Sequence, residues 1–177
     1  MAPVMPENLI LVGFMGAGKS SVGRLLARRL GRCFVETDDM ITAREGCSIP
    51  EIFARHGEAH FRAAEEETLR VLRLKTSDVI ATGGGLPGRE GRMENLRALG
   101  TVIWLAGDFG ALYERALRAG ARPMLAGRTR DEVEALCRSR EPFYRQADLS
   151  VDTTGLGPDQ VVSRILGALA AREQAAR

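Results

Sequence analysis

The stretch Gly13-Phe14-Met15-Gly16-Ala17-Gly18-Lys19-Ser20 gathers the residue types that hold a polyphosphate. It fits G-x-x-x-x-G-K-[ST], a loop whose glycines let the main chain approach phosphate oxygens with no Cβ in the way. Successive backbone N–H groups from Gly16, Ala17 and Gly18 to Ser21, at the start of a following helix, would converge on one anion. Lys19 would reach the β- and γ-phosphates, and the Ser20 hydroxyl would ligate Mg²⁺. Loop, lysine, hydroxyl and flanking sequence all agree. A nucleoside-triphosphate site is expected, not an idle glycine-rich turn.

Other groups able to do chemistry follow the later apolar runs. Glu36 and Asp38 stand two apart after Phe34-Val35, and on an extended chain both would point the same way. Thr37, Asp38 and Asp39 also suit the N-cap of a helix over Met40 to Arg44. Arg62 and Glu65 are three apart, a spacing that pairs them along one helical face. Gly83-Gly84-Gly85 ends the run Asp78 to Thr82, where glycines lose chain entropy unless a ligand must lie against the backbone. Arg118 to Arg130 is basic, carries Gly120 and Gly127, and is interrupted by Pro123. That composition suits a mobile lid whose cations meet phosphate on closing. Arg138 and Arg140 come next, in a helical stretch. His56 and His60 flank a glutamate at the wrong offset for H-E-x-x-H, with no third ligand in the sequence, so zinc is not expected.

These groups need elements to position them. Leu9-Ile10-Leu11-Val12 is a short apolar run suited to a buried parallel strand, and Val22, Leu25, Leu26 and Leu30 recur at helical spacing after the loop. Strand candidates at 9–13, 33–36, 78–82, 101–105 and 148–152 alternate with helical stretches. That alternation predicts an α/β fold with right-handed crossovers and a parallel sheet covered on both faces. In such sheets ligands bind beyond the carboxyl ends of the strands, where the loop, Asp38 and the glycine run all fall. Ser48-Ile49-Pro50-Glu51 reads as a capped helix start, Gly57 as the opening of another helix, and Ala168 to Arg177 as a helix fraying into solvent.

With 177 residues and a formal net charge of +2, the chain is expected to be one domain over 1–177, with no pull toward nucleic acid or an anionic membrane. No run approaches the roughly 20 apolar residues that span a bilayer. Cys33, Cys47 and Cys137 form neither a C-x-x-C pair nor a disulfide framework. A soluble, cytoplasmic protein is expected.

Together these motifs resemble the shikimate kinase family, small P-loop kinases related in fold to nucleoside monophosphate kinases. The resemblance runs from Leu9 to about Ala170. It rests on the P-loop, the paired acidic motif, Gly57-Glu58-x-x-Phe61-Arg62-x-x-Glu65, Gly83-Gly84-Gly85, Arg122-Pro123-x-Leu125 and Arg140-x-Pro142-x-Tyr144, in that order. It implies a single three-layer α/β/α P-loop domain with a five-stranded parallel sheet in the order 2-3-1-4-5. It implies a lid at about 118–130 and a shikimate-binding region at about 36–65. ATP and shikimate would be the substrates, Mg²⁺ the cofactor, and the protein a monomer.

Carried over by position, the resemblance gives Asp38 the family's contact to shikimate hydroxyls, with a secondary role as base. Arg62 and Arg140 match the pair on the shikimate carboxylate, with Gly83, Gly84 and Gly85 as backbone contacts. Arg122 matches the lid arginine on the ATP phosphates, Arg115 the arginine beside adenine, and Pro158 an adenine-flanking proline. Glu36 departs from the pattern. The family commonly has aspartate there, helping to organise the waters of Mg²⁺, and glutamate keeps the charge but adds a methylene.

Phosphoryl transfer spreads charge over the γ-phosphoryl oxygens, so positioning and positive charge dominate, from Lys19, Arg122, the loop amides and Mg²⁺. A carboxylate is gripped better by arginines than by lysines, and Glu65 would orient Arg62. Asp38, near a helix N-terminus, is expected to stay ionised as a weak base, which makes holding the acceptor hydroxyl its main task. One rival is a related small-metabolite kinase such as gluconate kinase, against which Arg62, the glycine run and Arg140 favour shikimate. Another is a nucleotide-operated switch or non-catalytic nucleotide-binding module. A GTPase switch would carry N-K-x-D, which is absent, and a degenerate module would have lost Lys19, Asp38 or Arg122.

Overall fold

Five apolar runs become five strands in the computed structural model, which describes residues 7–120, 125 and 127–175. They are β1 (Asn8–Val12), β2 (Phe34–Glu36), β3 (Val79–Ala81), β4 (Gly100–Ala106) and β5 (Leu149–Asp152). All pair in parallel, in the order β2-β3-β1-β4-β5. β1 is central, with Leu9 to Val12 fully buried. A strand covered on both faces has no solvent side, which is why it reads as an unbroken apolar run and not an alternating one.

The helices are α1 (Lys19–Leu30), α2 (Thr37–Glu45), α3 (Ile49–Leu72), α4 (Arg92–Arg97), α5 (Phe109–Arg118), α6 (Arg130–Tyr144) and α7 (Pro158–Ala175). The connection from β1 to β2 crosses the sheet in one direction, and all later connections cross it in the other. Right-handed crossovers therefore place α1 on one face and α3 to α6 on the opposite face. α7 joins α1, where Arg29 and Asp159 pair at 2.9 Å. Met93, Leu96, Leu112, Val133 and Tyr144 bring the second layer of helices into the main core. The result is a single α/β domain with helices on both sides of the sheet. A smaller apolar cluster, Ile41, Ile52, Phe61 and Ala64, ties α2 to α3 by itself.

Local signals decide most helix ends. α3 starts at a capping box in which the Ser48 N–H donates to Glu51 at 2.9 Å, with Pro50 in the first turn. Gly57, at φ 78° and ψ 179°, breaks α3 and restarts it, as expected of a helix opening. α2 differs from expectation. It begins at Thr37, not Met40, with Glu36 as N-cap and no side-chain cap bond. Thr37 is held by a tertiary contact instead, and Asp38 and Asp39 fall in the first turn, where the helix dipole favours acidic groups.

Two further boundaries move. α7 stays packed as far as Leu169 and helical to Ala175, so the expected fraying at Ala168 does not occur there. Of the stretch 118–130, Arg118 is the last residue of α5, and Thr129 and Arg130 begin α6 through a capping box with Glu132. Residues 121–124 and 126, including Arg122, lie outside the described residues.

Candidate active site

The P-loop leaves β1 and enters α1 at Gly18, the N-cap, with φ 87°. Gly16 has φ 78°, and a Cβ there would overlap the backbone oxygen of Leu112 in α5. Only glycine allows both that dihedral and that approach. The amides of the first helical turn, Lys19 to Ser21, have no acceptor within the helix and point out of its N-terminus. The Lys19 ammonium donates to the carbonyl oxygens of Gly13 at 2.7 Å and Phe14 at 3.1 Å, so it lies over the loop. The Ser20 hydroxyl donates to Glu36 Oε1, and Arg24 Nη2 donates to Glu36 Oε2 at 3.1 Å.

Asp38 sits one residue into α2, against the glycine run. The Gly83 N–H donates to Thr37 Oγ1 at 2.8 Å, and a Cβ on Gly83 would overlap the Asp38 carboxylate. Burial pushes the Asp38 carboxyl up to about 6. The Lys19 charge pulls it down, while Glu65, Glu36 and Asp39 push it up. Desolvation thus outweighs the attraction of Lys19, and the expectation of a firmly ionised, weak base is corrected. A carboxyl titrating near neutrality is a better proton acceptor than one near 4.

Arg62 and Arg140 come from different helices and meet at Gly85. A methyl on Gly85 would lie 3.6 Å from Arg62 Nη1 and 3.9 Å from Arg140 Nη2. Arg62 is not a plain surface pair. Its Nη1 donates to Glu65 at 2.8 Å, Glu65 is 3% exposed, and Glu58 takes Nε and Nη2 at 3.1 and 3.0 Å. Burial opposes the Arg62 charge, yet Glu65 and Glu58 outweigh it and hold its pKa above the ordinary value. Arg140 Nη1 donates to the Gly84 carbonyl at 2.7 Å, and its guanidinium lies 5.8 Å from the centre of the Phe14 ring. Tyr144 adds a second donor to the Gly84 oxygen at 3.2 Å. One end of the glycine run therefore touches a carboxylate and the other two guanidinium groups, beside the P-loop.

At the far edge of the sheet, Arg115 donates to the Thr153 carbonyl at 2.7 Å and its hydroxyl at 3.1 Å. Pro158, exposed, opens α7 at the end of that same loop. A cleft of about 560 Å³ lined by Phe14, Trp104, Phe109, Leu112, Cys137 and Tyr144 contains none of the predicted site residues.

The sequence profile described as shikimate kinase matches residues 15–170. The chain belongs to the shikimate kinase family. A shikimate kinase of Geobacter metallireducens is 44% identical over 172 residues, covering 97% of this chain and 96% of its own. A shikimate kinase structure from Acinetobacter baumannii, in complex with shikimate, superposes with a TM-score of 0.88 at 33% identity, covering 96% of each chain. A gluconokinase from Sinorhizobium meliloti superposes with a TM-score of 0.63 at 19% identity over 97% of this chain and 95% of its own, which shows a shared fold alone.

Within this member of the shikimate kinase family, the predicted residues fall into three groups. Gly16 to Ser21 form the glycine-rich loop and the start of α1, with Glu36 held on Ser20; Asp38, Arg62, Gly83 to Gly85 and Arg140 cluster around the glycine run; Arg115 and Pro158 border the loop after β5. Sequence reasoning gave Thr153 and Arg24 no role, took Thr37 only as N-cap material, and named Glu58 only as a motif position and not as a partner of Arg62. Arg24 had one available signal, its place a helical turn after Ser20. The contacts of Thr37 and Thr153 had none, because the Gly83 amide and the Arg115 guanidinium they meet are remote in sequence.

Proposed function

We propose that this chain transfers the γ-phosphoryl group of ATP to the 3-hydroxyl of shikimate, giving shikimate 3-phosphate and ADP on the route to chorismate and the aromatic amino acids. The observation that carries this reading is the meeting of Arg62 and Arg140 around Gly85, next to Asp38 and the P-loop. Two guanidinium groups suit one carboxylate, and a carboxyl beside them suits vicinal hydroxyls. A nucleotide alone would need neither.

In this arrangement Arg62 and Arg140 anchor the acid, and Asp38 accepts from the reacting hydroxyl. The new O–P bond forms as the bond to ADP breaks, and Asp38, with its pKa near 6, takes the hydroxyl proton late in transfer. Lys19 leaves the loop carbonyls for the β- and γ-phosphates, a rotation of its flexible stem. Arg122 would add charge from the lid, and Arg115 and Pro158 would flank adenine. The Ser20 hydroxyl offers a hard oxygen donor beside the loop, with the Glu36 carboxylate behind it, which fits Mg²⁺. Bound there, the ion neutralises phosphate charge. No helix among the described residues is long and apolar enough to cross a membrane, and the reading is of a cytoplasmic monomer.

A coupled ADP-release assay over shikimate, gluconate, nucleoside monophosphates and no acceptor tests the assignment. ADP should appear with shikimate and Mg²⁺ and stay at background with the others. Faster release with gluconate, or release independent of acceptor, would overturn it.

A further inference from the structure

Glu36 has one more rotatable bond than an aspartate would have there, and a long carboxylate left loose would lose rotamer freedom on every productive encounter. Here both oxygens are held. Oε1 accepts from the Ser20 hydroxyl, and Oε2 accepts from Arg24 Nη2 at 3.1 Å. Arg24 follows Ser20 by one turn on α1, so the two side chains share a face. Its guanidinium is steadied over the Phe34 ring, 5.0 Å from the ring centre. Phe34 and Glu36 stand two apart on β2 and project the same way. α1 and β2 close tightly at this level, since a Cβ on Gly23 would overlap the Phe34 ring. Phe34, Arg24, Glu36 and Ser20 thus form one chain of contacts ending on the P-loop hydroxyl.

We propose that Arg24 is a positioning residue that keeps the Glu36 carboxylate on the Ser20 hydroxyl, so that Glu36 acts on the metal through Ser20. A serine oxygen can ligate a cation through a lone pair while still donating its proton. A carboxylate that accepts this proton fixes the lone-pair direction and makes the oxygen a better ligand. The added methylene of Glu36 is what carries the carboxylate across to Ser20, and Arg24 removes the freedom that comes with it. The inference rests on Ser20 being the metal ligand.

The test reads metal binding without turnover, as free Mn²⁺ measured by electron paramagnetic resonance in the presence of ADP. The Arg24 side chain is 53% exposed, so Arg24→Ala should fold like the parent, checked by circular dichroism. It should weaken Mn²⁺ binding roughly tenfold, the loss found when a group orienting a metal ligand is removed. Affinity for metal-free ADP should not change. In a Glu36→Asp background, where the extra bond is gone, Arg24→Ala should have less than about a threefold effect. Unchanged Mn²⁺ affinity would make Arg24 a surface residue, and tighter binding would make it a repelling cation. Either result overturns the proposal, as does an equal loss in both backgrounds. Ser20→Ala separates the underlying assignment: if it leaves Mn²⁺ affinity intact, the metal site itself has been misplaced. If it weakens binding while Arg24→Ala does not, only the role of Arg24 fails.

Discussion

Replacing Asp38 by Asn should stabilise the protein while disabling it. The Asp38 carboxyl, ordinarily near 3.8, is raised to about 6 mainly by burial. Its neutral form is therefore favoured in the folded state. Below pH 3.8 it is protonated whether the chain is folded or not, and it costs nothing. As pH rises from 3.8 to 6 the unfolded chain ionises first, and stability falls. Above pH 6 the full penalty applies. At about 1.4 kcal/mol per pKa unit, the difference amounts to about 3 kcal/mol at pH 8 and half of that at pH 5. Solvent reaching the half-buried group trims these figures. Asn keeps the shape and one acceptor oxygen without the charge. Urea unfolding of Asp38→Asn and parent should show the variant about 2–3 kcal/mol more stable at pH 8, with the gain roughly halved at pH 5. In the parent, kcat/KM should rise with pH through about 6, and in the variant kcat should fall by about two to four orders of magnitude. A variant no more stable than the parent at pH 8, or equally advantaged at both pH values, would refute the burial argument. Unchanged turnover of shikimate would remove Asp38 from the site.

Lys19→Met should fold normally and lose about 10²–10³ in kcat, as expected when a preorganised charge is taken from the transferring group; near-normal kcat would remove Lys19 from the phosphates. Arg62→Lys and Arg140→Lys should each weaken shikimate binding by roughly ten- to a hundredfold, measured by calorimetry, with ATP affinity little changed. Loss of ATP affinity instead would mean that the arginine pair faces the nucleotide. Gly83→Ala should push Asp38 off its place and lower kcat with shikimate at least tenfold, whereas an active Gly83→Ala enzyme would show that Asp38 needs no contact with the glycine run.

The elements were legible in the sequence because their causes are local. β1 announces itself as an apolar run because both its faces are covered, and the Ser48 to Glu51 cap and the Gly57 restart depend on neighbours in the chain. The P-loop is legible for the same reason, since its glycines, lysine and hydroxyl are consecutive and their task is set by backbone geometry. The order of the strands was not readable from the apolar runs themselves. It came with the resemblance to the shikimate kinase family, because parallel pairing joins segments that share no local signal.

Tertiary structure alone decided the electrostatics and the joining of distant parts. Local reasoning expected Asp38 to be an ionised cap with α2 starting later, yet Thr37 is drawn to Gly83 and the carboxyl is buried against the glycine run, which reverses the direction of its pKa shift. The sequence showed Arg62 and Glu65 as a helical pair but could not show that Glu65 is buried, or that Arg140 arrives from another helix to share Gly85. Nor could it show Glu36 reaching Ser20 under the hold of Arg24. A pKa and a hydrogen bond depend on what fills the space around a group. For these residues that space is filled by segments remote in sequence, which folding alone brings near.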